Sequence, residues 1–310
     1  HPASVRRVAR GEPGYPERLQ ELERPPGTVY LAGAWSGATP SVAVVGARDA
    51  SPDGLDVARW LAAGIAASGV AVLSGLARGI DSAAHESALE AGGRSGAVLG
   101  TGIDQVYPPE SEDLTRRVLD SVGLLSELGP GVRGRRGTFA ARNRLLAALA
   151  DVTVVVQGRI GSGALITARE AELLGRPLAA VPWDCRDPLG EAPHRLIRSG
   201  RATLVRSPQD VLDLLPGGVL STARRGDAPG AGWGGPPGDG AHPSVRPPGL
   251  NPTEAKLLAA LRDRPQPLDA AVLAAGLSAA AAGAALVTLE LRGLARSAPG
   301  GLVRRARRGR

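Results

Sequence analysis

The chain has 310 residues, 43% of them hydrophobic, enough to bury a core in one large domain and one small one. Lysine and arginine total 37 against 30 acidic residues, a net charge of +7 that points to polyanionic partners, nucleic acid first. One cysteine, Cys185, excludes an intramolecular disulfide or a cysteine-rich metal site, and the four histidines stand in no metal-ligand spacing.

Residues 1–40 are polar and punctuated by Pro and Gly, with a short apolar patch at Val29-Tyr30-Leu31, and are expected to pack on the core as an extension. Over 41–215 the pattern becomes regular. Strands are predicted at Val42–Val45, Val70–Leu73, Ser95–Leu99, Leu124–Ser126, Val152–Val156 and Leu178–Val181. Helical spacing lies between them at Gly54–Ser68, Ser82–Ala91, Ser111–Asp120, Asn143–Ala150 and Thr167–Leu174. Short apolar strands alternating with helices predict a Rossmann-like, doubly wound parallel sheet of the α/β class.

Such sheets bind ligands beyond the strand C-termini, and here those turns are rich in glycine. Val45 leads into Gly46-Ala47-Arg48, and Leu73 into Ser74-Gly75-Leu76-Ala77-Arg78-Gly79-Ile80-Asp81. Leu99 leads into Gly100-Thr101-Gly102, and Val156 into Gln157-Gly158-Arg159-Ile160 followed by Gly161, Ser162 and Gly163. A strand feeding a glycine turn at a helix N-terminus makes a phosphate site, because unpaired N–H groups and the helix dipole converge there. Just upstream stands an aromatic-basic cluster, Phe139, Arg142, Asn143 and Arg144, with the chain's one phenylalanine. That combination points to a phosphate-bearing polymer with a base to stack.

Beyond residue 215 the composition turns to Gly, Pro and Ser over 216–250, a linker with too little apolar surface to fold. Over 251–303 a capped helix (Asn251–Arg262), a second (Leu268–Ala275), a tight turn at Gly276-Leu277, a third (Ser278–Arg292) and a wing closing at Pro299-Gly300-Gly301 predict a winged helix. Its third helix is nearly all alanine and poor for reading bases, and 304–310 form a basic tail. The uncharged run Ala270–Leu289 has the length of a membrane span, but alanine, Gly276 and Ser278 make it two short helices instead, and no membrane is expected. With no secretory signal and one cysteine, a reducing cytoplasm is the expected location. The absence of methionine implies that the chain was processed or cut before His1.

Several chemistries drop out. The one lysine, Lys256, lies in the small domain, so no Walker-type phosphate loop exists. Gly161-Ser162-Gly163-Ala164-Leu165-Ile166 lacks the third glycine of a dinucleotide fingerprint, and Gly-x-Ser-x-Gly is missing. Carboxylates near the turns are sparse: Asp81, Asp104 and Glu127, of which Asp81 is expected to cap a helix or orient Arg78. His85 beside Glu86 reads as structural or solvent-facing. Donors without general bases suggest binding, with no catalytic residue, metal or cofactor.

The segments Ser74–Asp81 with His85, Val98–Asp104 with Tyr107-Pro108, Phe139–Arg144, Gly161–Ala168, Gly175-Arg176-Pro177 and Ala180-Val181-Pro182 resemble the DNA-processing protein A (DprA/Smf) family. The resemblance spans roughly Tyr15 to Val205 and is looser in the C-terminal domain. It implies a protein that binds single-stranded DNA in a positive pocket, forms homodimers, and loads a RecA-type recombinase onto incoming DNA in natural transformation. Carried onto this chain, Arg48, Ser74, Gly75, Arg78, Gly79, Gly161, Ser162 and Gly163 would hold phosphates, Arg136 and Arg144 would add charge, and Phe139 would stack on a base. By analogy the dimer surface falls on the later strands and Leu173-Leu174. Ala140 departs from the family's usual proline, Gln157 from a common acid, Trp183 from a glycine and Ala47 from a hydroxyl residue, which bears on fine pocket geometry. The alternatives are a phosphoribohydrolase-type enzyme, for which Glu170 stands one helical turn late, and a nucleotide or oligonucleotide sensor.

Overall fold

A computed structural model describes residues 5–35, 40–217, 251–262, 266–292, 294–298 and 302–306. The chain divides into two compact units, 1–225 and 226–310. In the first, the strands are β1 (Arg6–Ala9), β2 (Thr28–Ala32), β3 (Ser41–Val45), β4 (Ala71–Ser74), β5 (Ser95–Leu99), β6 (Gly123–Ser126), β7 (Val152–Val155), β8 (Leu178–Ala180) and β9 (Thr203–Leu204). The helices are α1 (Pro52–Ala67), α2 (Ile80–Glu90), α3 (Glu112–Ser121), α4 (Arg136–Leu149), α5 (Gly163–Leu173), α6 (Glu191–Arg198) and α7 (Pro208–Leu212).

Every residue of β3 to β8 is buried, as expected of strands covered on both faces. One sheet runs β1-β2-β6-β5-β4-β3-β7-β8-β9, parallel from β6 to β9. Successive strands step outward from β3 one way as far as β6, and β7 to β9 step the other way. The reversal lies between β3 and β7. The pleat of β3 divides the core: Ala43 and Val45 pack with Leu145 and Leu146 of α4, while Val42 and Val44 pack with Leu61 and Ile65 of α1.

The doubly wound fold is as expected, with additions at both edges of the sheet. The apolar patch Val29–Leu31 lies in β2, which pairs antiparallel with β6 and with β1, so this part of the extension is part of the sheet. The sequence reading has no α6, α7 or β9. β9 is two residues long and exists through pairing with β8, which no local periodicity can announce. α4 begins at Arg136, well before Asn143, because Thr138 Oγ1 accepts the Arg135 N–H at 2.8 Å and donates to the Gly100 carbonyl at 2.7 Å.

In the second unit, α8 (Pro252–Ala260), β10 (Gln266–Pro267), α9 (Leu268–Ala275), α10 (Ala279–Leu291), β11 (Ala295–Ala298) and β12 (Leu302–Arg305) form a winged helix, the strands ordered β10-β12-β11. Asn251 and Glu254 cap α8 reciprocally, and Gly276 turns α9 off at φ 61°. Most of the predicted linker, the wing tip at 299–301 and most of the basic tail lie outside the described residues. Among the described residues no single helix is long and apolar enough to cross a membrane, and α9 with the run Ala279–Glu290 is bent by 107°.

Candidate nucleic-acid interface

At the reversal between β3 and β7 the strand ends splay apart and open a cavity of about 400 Å³. Gly46, Ala47 and Arg48 from the turn after β3 form one wall, and Gly161, Ser162 and Gly163 at the start of α5 form another. Arg136, Phe139, Arg142 and Asn143 come from α4. α5 starts without a side-chain cap, and although the Leu165 N–H donates to the Ser162 carbonyl, the N–H groups of Gly163 and Ala164 are available to an anion.

Close backbone contacts hold these turns. Gly79 has φ 76°, and a Cβ there would lie 2.3 Å from the Ala47 carbonyl oxygen, so only glycine lets α2 start against the Arg48 turn. Ser51 Oγ accepts the Gly54 N–H at the head of α1 and the Gln157 side-chain amide at 2.8 Å, while Gln157 Oε1 accepts the Ser51 N–H at 3.1 Å. Gln157 is fully buried, and ties the turn after β7 to the turn after β3.

Phe139 is wedged against Gly100 and Gly134, where any Cβ would come within 3 Å of its ring. The Arg48 guanidinium lies 5.4 Å from the ring centroid, and the Tyr107 ring is 5.0 Å away, tilted by 42°. On the far side of Phe139 is a second cavity of about 300 Å³, lined by Arg48, Asp49, Arg78, Tyr107 and Pro108 among others.

Acid–base groups here are tied up. Asp81 Oδ2 accepts the N–H groups of Gly75 at 3.2 Å and Ala77 at 3.4 Å, and burial raises its pKa against the pull of Arg142. Asp104 accepts the Gly131 N–H at 2.8 Å. His85 is fully buried, and burial together with the Arg142 charge lowers its pKa to about 3. Its Nε2 accepts the Leu76 N–H at 3.4 Å, so the proton sits on Nδ1, facing Ser95 Oγ at 2.7 Å.

The family model for DNA recombination-mediator protein A matches residues 6–216, and the one for the DprA winged-helix domain matches residues 241–301. The chain belongs to the DNA recombination-mediator protein A family. Protein Smf of Synechocystis sp. is 33% identical to this family member over 93% of the chain and 77% of its own length. The DNA processing protein DprA of Streptococcus pneumoniae is 39% identical over 64% of the chain and 70% of its own. Its X-ray structure superposes with a TM-score of 0.66 at 36% identity, covering 69% of this chain and 75% of that one. DNA processing protein A of Helicobacter pylori, whose structure is described for its single-stranded DNA binding mode, gives a TM-score of 0.61 at 27% identity over 67% and 94% of the two chains.

The residues carried over from the recombination-mediator family separate into two groups. Arg48, Arg136, Phe139, Gly161, Ser162 and Gly163 converge on the larger cavity. Of the others, Arg142 and Asn143 also line that cavity, Gly75 and Arg78 line the smaller one, and Ser74, Gly79 and Arg144 line neither. Ser74 lines neither cavity: it is fully buried, and its hydroxyl donates to the Val44 carbonyl at 2.7 Å. Gly75 is small because Arg142 fills the space beside it; a Cβ would lie 2.2 Å from Nη1. Arg142 reaches the cavity wall but is buried, donating to the carbonyls of Gly75 at 2.9 Å and Val98. Asn143 joins α4 to α5 through the Gly163 carbonyl at 3.0 Å. Arg144 lines neither cavity and is paired with Glu127 at 2.7 Å. Arg78 is exposed, paired with Glu110, and lines the smaller cavity. The sequence reading assigns nothing to Asp49, notes Gln157 only as a departure from a common acid, and places Tyr107-Pro108 in a family motif without giving Tyr107 a site.

Proposed function

We propose that this DNA recombination-mediator family member binds single-stranded DNA at the β3/β7 cavity and delivers it to a RecA-type recombinase, without catalytic turnover. One observation carries the reading: two exposed arginines, an uncapped helix N-terminus and an aromatic ring converge on a single concave site. These are the donors and platform that a phosphate-and-base polymer needs. A hydrolase would need a poised base, and His85 is neutral and sealed while Asp81 is buried and hydrogen-bonded. The single-stranded DNA described for the Helicobacter pylori relative supports the same ligand. A homodimer belongs to this proposal: Leu173 is 67% exposed and Leu204 on the sheet's edge strand is 44% exposed, whereas Leu174 is half-buried against the core.

The test is fluorescence anisotropy with a labelled oligothymidine titrated across salt. Salt-sensitive binding that weakens in Phe139→Ala and Arg48→Ala is the expected result. Binding indifferent to both substitutions would remove the cavity from the proposal. Recombinase delivery is read separately, as faster RecA-type filament growth on the same strand when the protein is added.

A further inference from the structure

We infer that the smaller cavity behind Phe139 is a base-selective subsite, with Tyr107 as its stacking platform and Asp49 as a reader of guanine. The inference rests on the single-strand reading above. Arg48 lies over the Phe139 ring and Gly100 and Gly134 pack against it, so a base beyond the one that ring can stack needs a second platform. Tyr107 is 50% exposed, held by Pro108 on one side and by Phe139 at 5.0 Å, and it opens on a cavity of about 300 Å³, the low end for small-ligand sites. A single unstacked base fits the chemistry of that ring better than a phosphate does.

Asp49 makes the cavity selective. It lines this cavity, is exposed, and has no hydrogen-bond or ion-pair partner among the described residues. A lone carboxylate beside a polyanion path weakens binding unless it accepts hydrogen bonds from the ligand. Its two oxygens accept side by side, and among the DNA bases guanine alone presents two adjacent donors, N1–H and the exocyclic amino group, on its Watson–Crick edge. Thymine sets a single donor between two carbonyl oxygens, which a carboxylate repels. Arg48, which has no carboxylate partner among the described residues, flanks the cavity and is placed to take a phosphate beside the bound base, while Arg78 on the other side is held by Glu110.

The experiment compares oligothymidine with an oligomer of equal length carrying isolated guanines, by anisotropy on the full chain. The guanine oligomer is expected to bind about tenfold more tightly, the discrimination of one bidentate base contact. Inosine in place of guanine keeps N1–H, lacks the amino group and should lose most of that preference. In Asp49→Asn the ratio should fall toward one, as the guanine oligomer weakens and oligothymidine tightens with the loss of a negative charge. In Tyr107→Ala both oligomers should weaken several-fold. Tyr107 is 50% exposed and Asp49 is exposed, so the variants should keep the native circular dichroism. Equal affinity for the two oligomers, or a guanine preference that survives Asp49→Asn, overturns this inference and leaves the single-strand reading standing. No binding of either oligomer at low salt overturns both.

Discussion

Arg48 and Arg142 both stand beside the glycine turns, and their surroundings give them different work. Arg142 is buried, bonded to two main-chain carbonyls, and shares its charge with Asp81. Arg142→Leu leaves those carbonyls and the carboxyl without their cation, and should cost about 3–5 kcal/mol, read as a drop in denaturant midpoint. Arg48 is exposed, so Arg48→Ala should move stability by less than about 0.5 kcal/mol while weakening single-strand binding. Equal stability losses in the two variants would refute the distinction. In the sequence the two are alike, each an arginine in a motif rich in glycine and small residues. Burial of Arg142 becomes legible only once α4 is known to start at Arg136, which turns this side chain inward under β4 and β5. Ser74 misleads for the same reason, because a hydroxyl at a strand end serves a phosphate or a neighbouring carbonyl equally well.

Between elements, two contacts set the shape of the site. Gly79 lets α2 begin against the turn after β3, and alanine there meets the main-chain oxygens of Ala47 and Arg48 at 2.3 and 2.6 Å. Gly79→Ala should therefore cost about 1–3 kcal/mol and displace Arg48, so that stability and DNA affinity fall together. His85 joins α2 to the turn after β4 and to Ser95 of β5. Its native pKa of about 3 is far below the ordinary 6.5, so above pH 6.5 its contribution is complete. As pH falls, the unfolded chain takes up a proton that the native state refuses, and stability declines by up to about 1.4 kcal/mol per pH unit, levelling near pH 3. The raised pKa of Asp81 works with the opposite sign at the acid end. Urea unfolding across pH 4 to 7 should show a slope that flattens in His85→Gln, and an unchanged slope in that variant would count against the assignment. The six strands predicted from apolar runs are all present, since burial on both faces writes itself into composition. The hairpin of β1 and β2, and the two-residue β9, were not readable, because partners far along the chain create them.

Across the whole molecule, the count of 37 lysines and arginines overstates how many cations are free for a phosphate, because many arginines are already paired. Arg18, Arg144, Arg176 and Arg201 pair with Asp151, Glu127, Glu21 and Glu172, and none of these four lines either cavity. Among the described residues the unpaired, exposed cations at the larger cavity are Arg48 and Arg136, joined by the first N–H groups of α5, together enough for about three phosphates. Each phosphate neutralised on a single strand contributes about −0.7 to the slope of log affinity against log salt, so a slope near −2 is expected for oligothymidine. Arg48→Ala should make it shallower by about 0.7, and Arg144→Ala should leave it in place, since that guanidinium is held by Glu127. A native slope steeper than about −4 would mean that a broad basic face, with the paired arginines released from their carboxylates, carries the strand, and the cavity would then be a minor part of the interface.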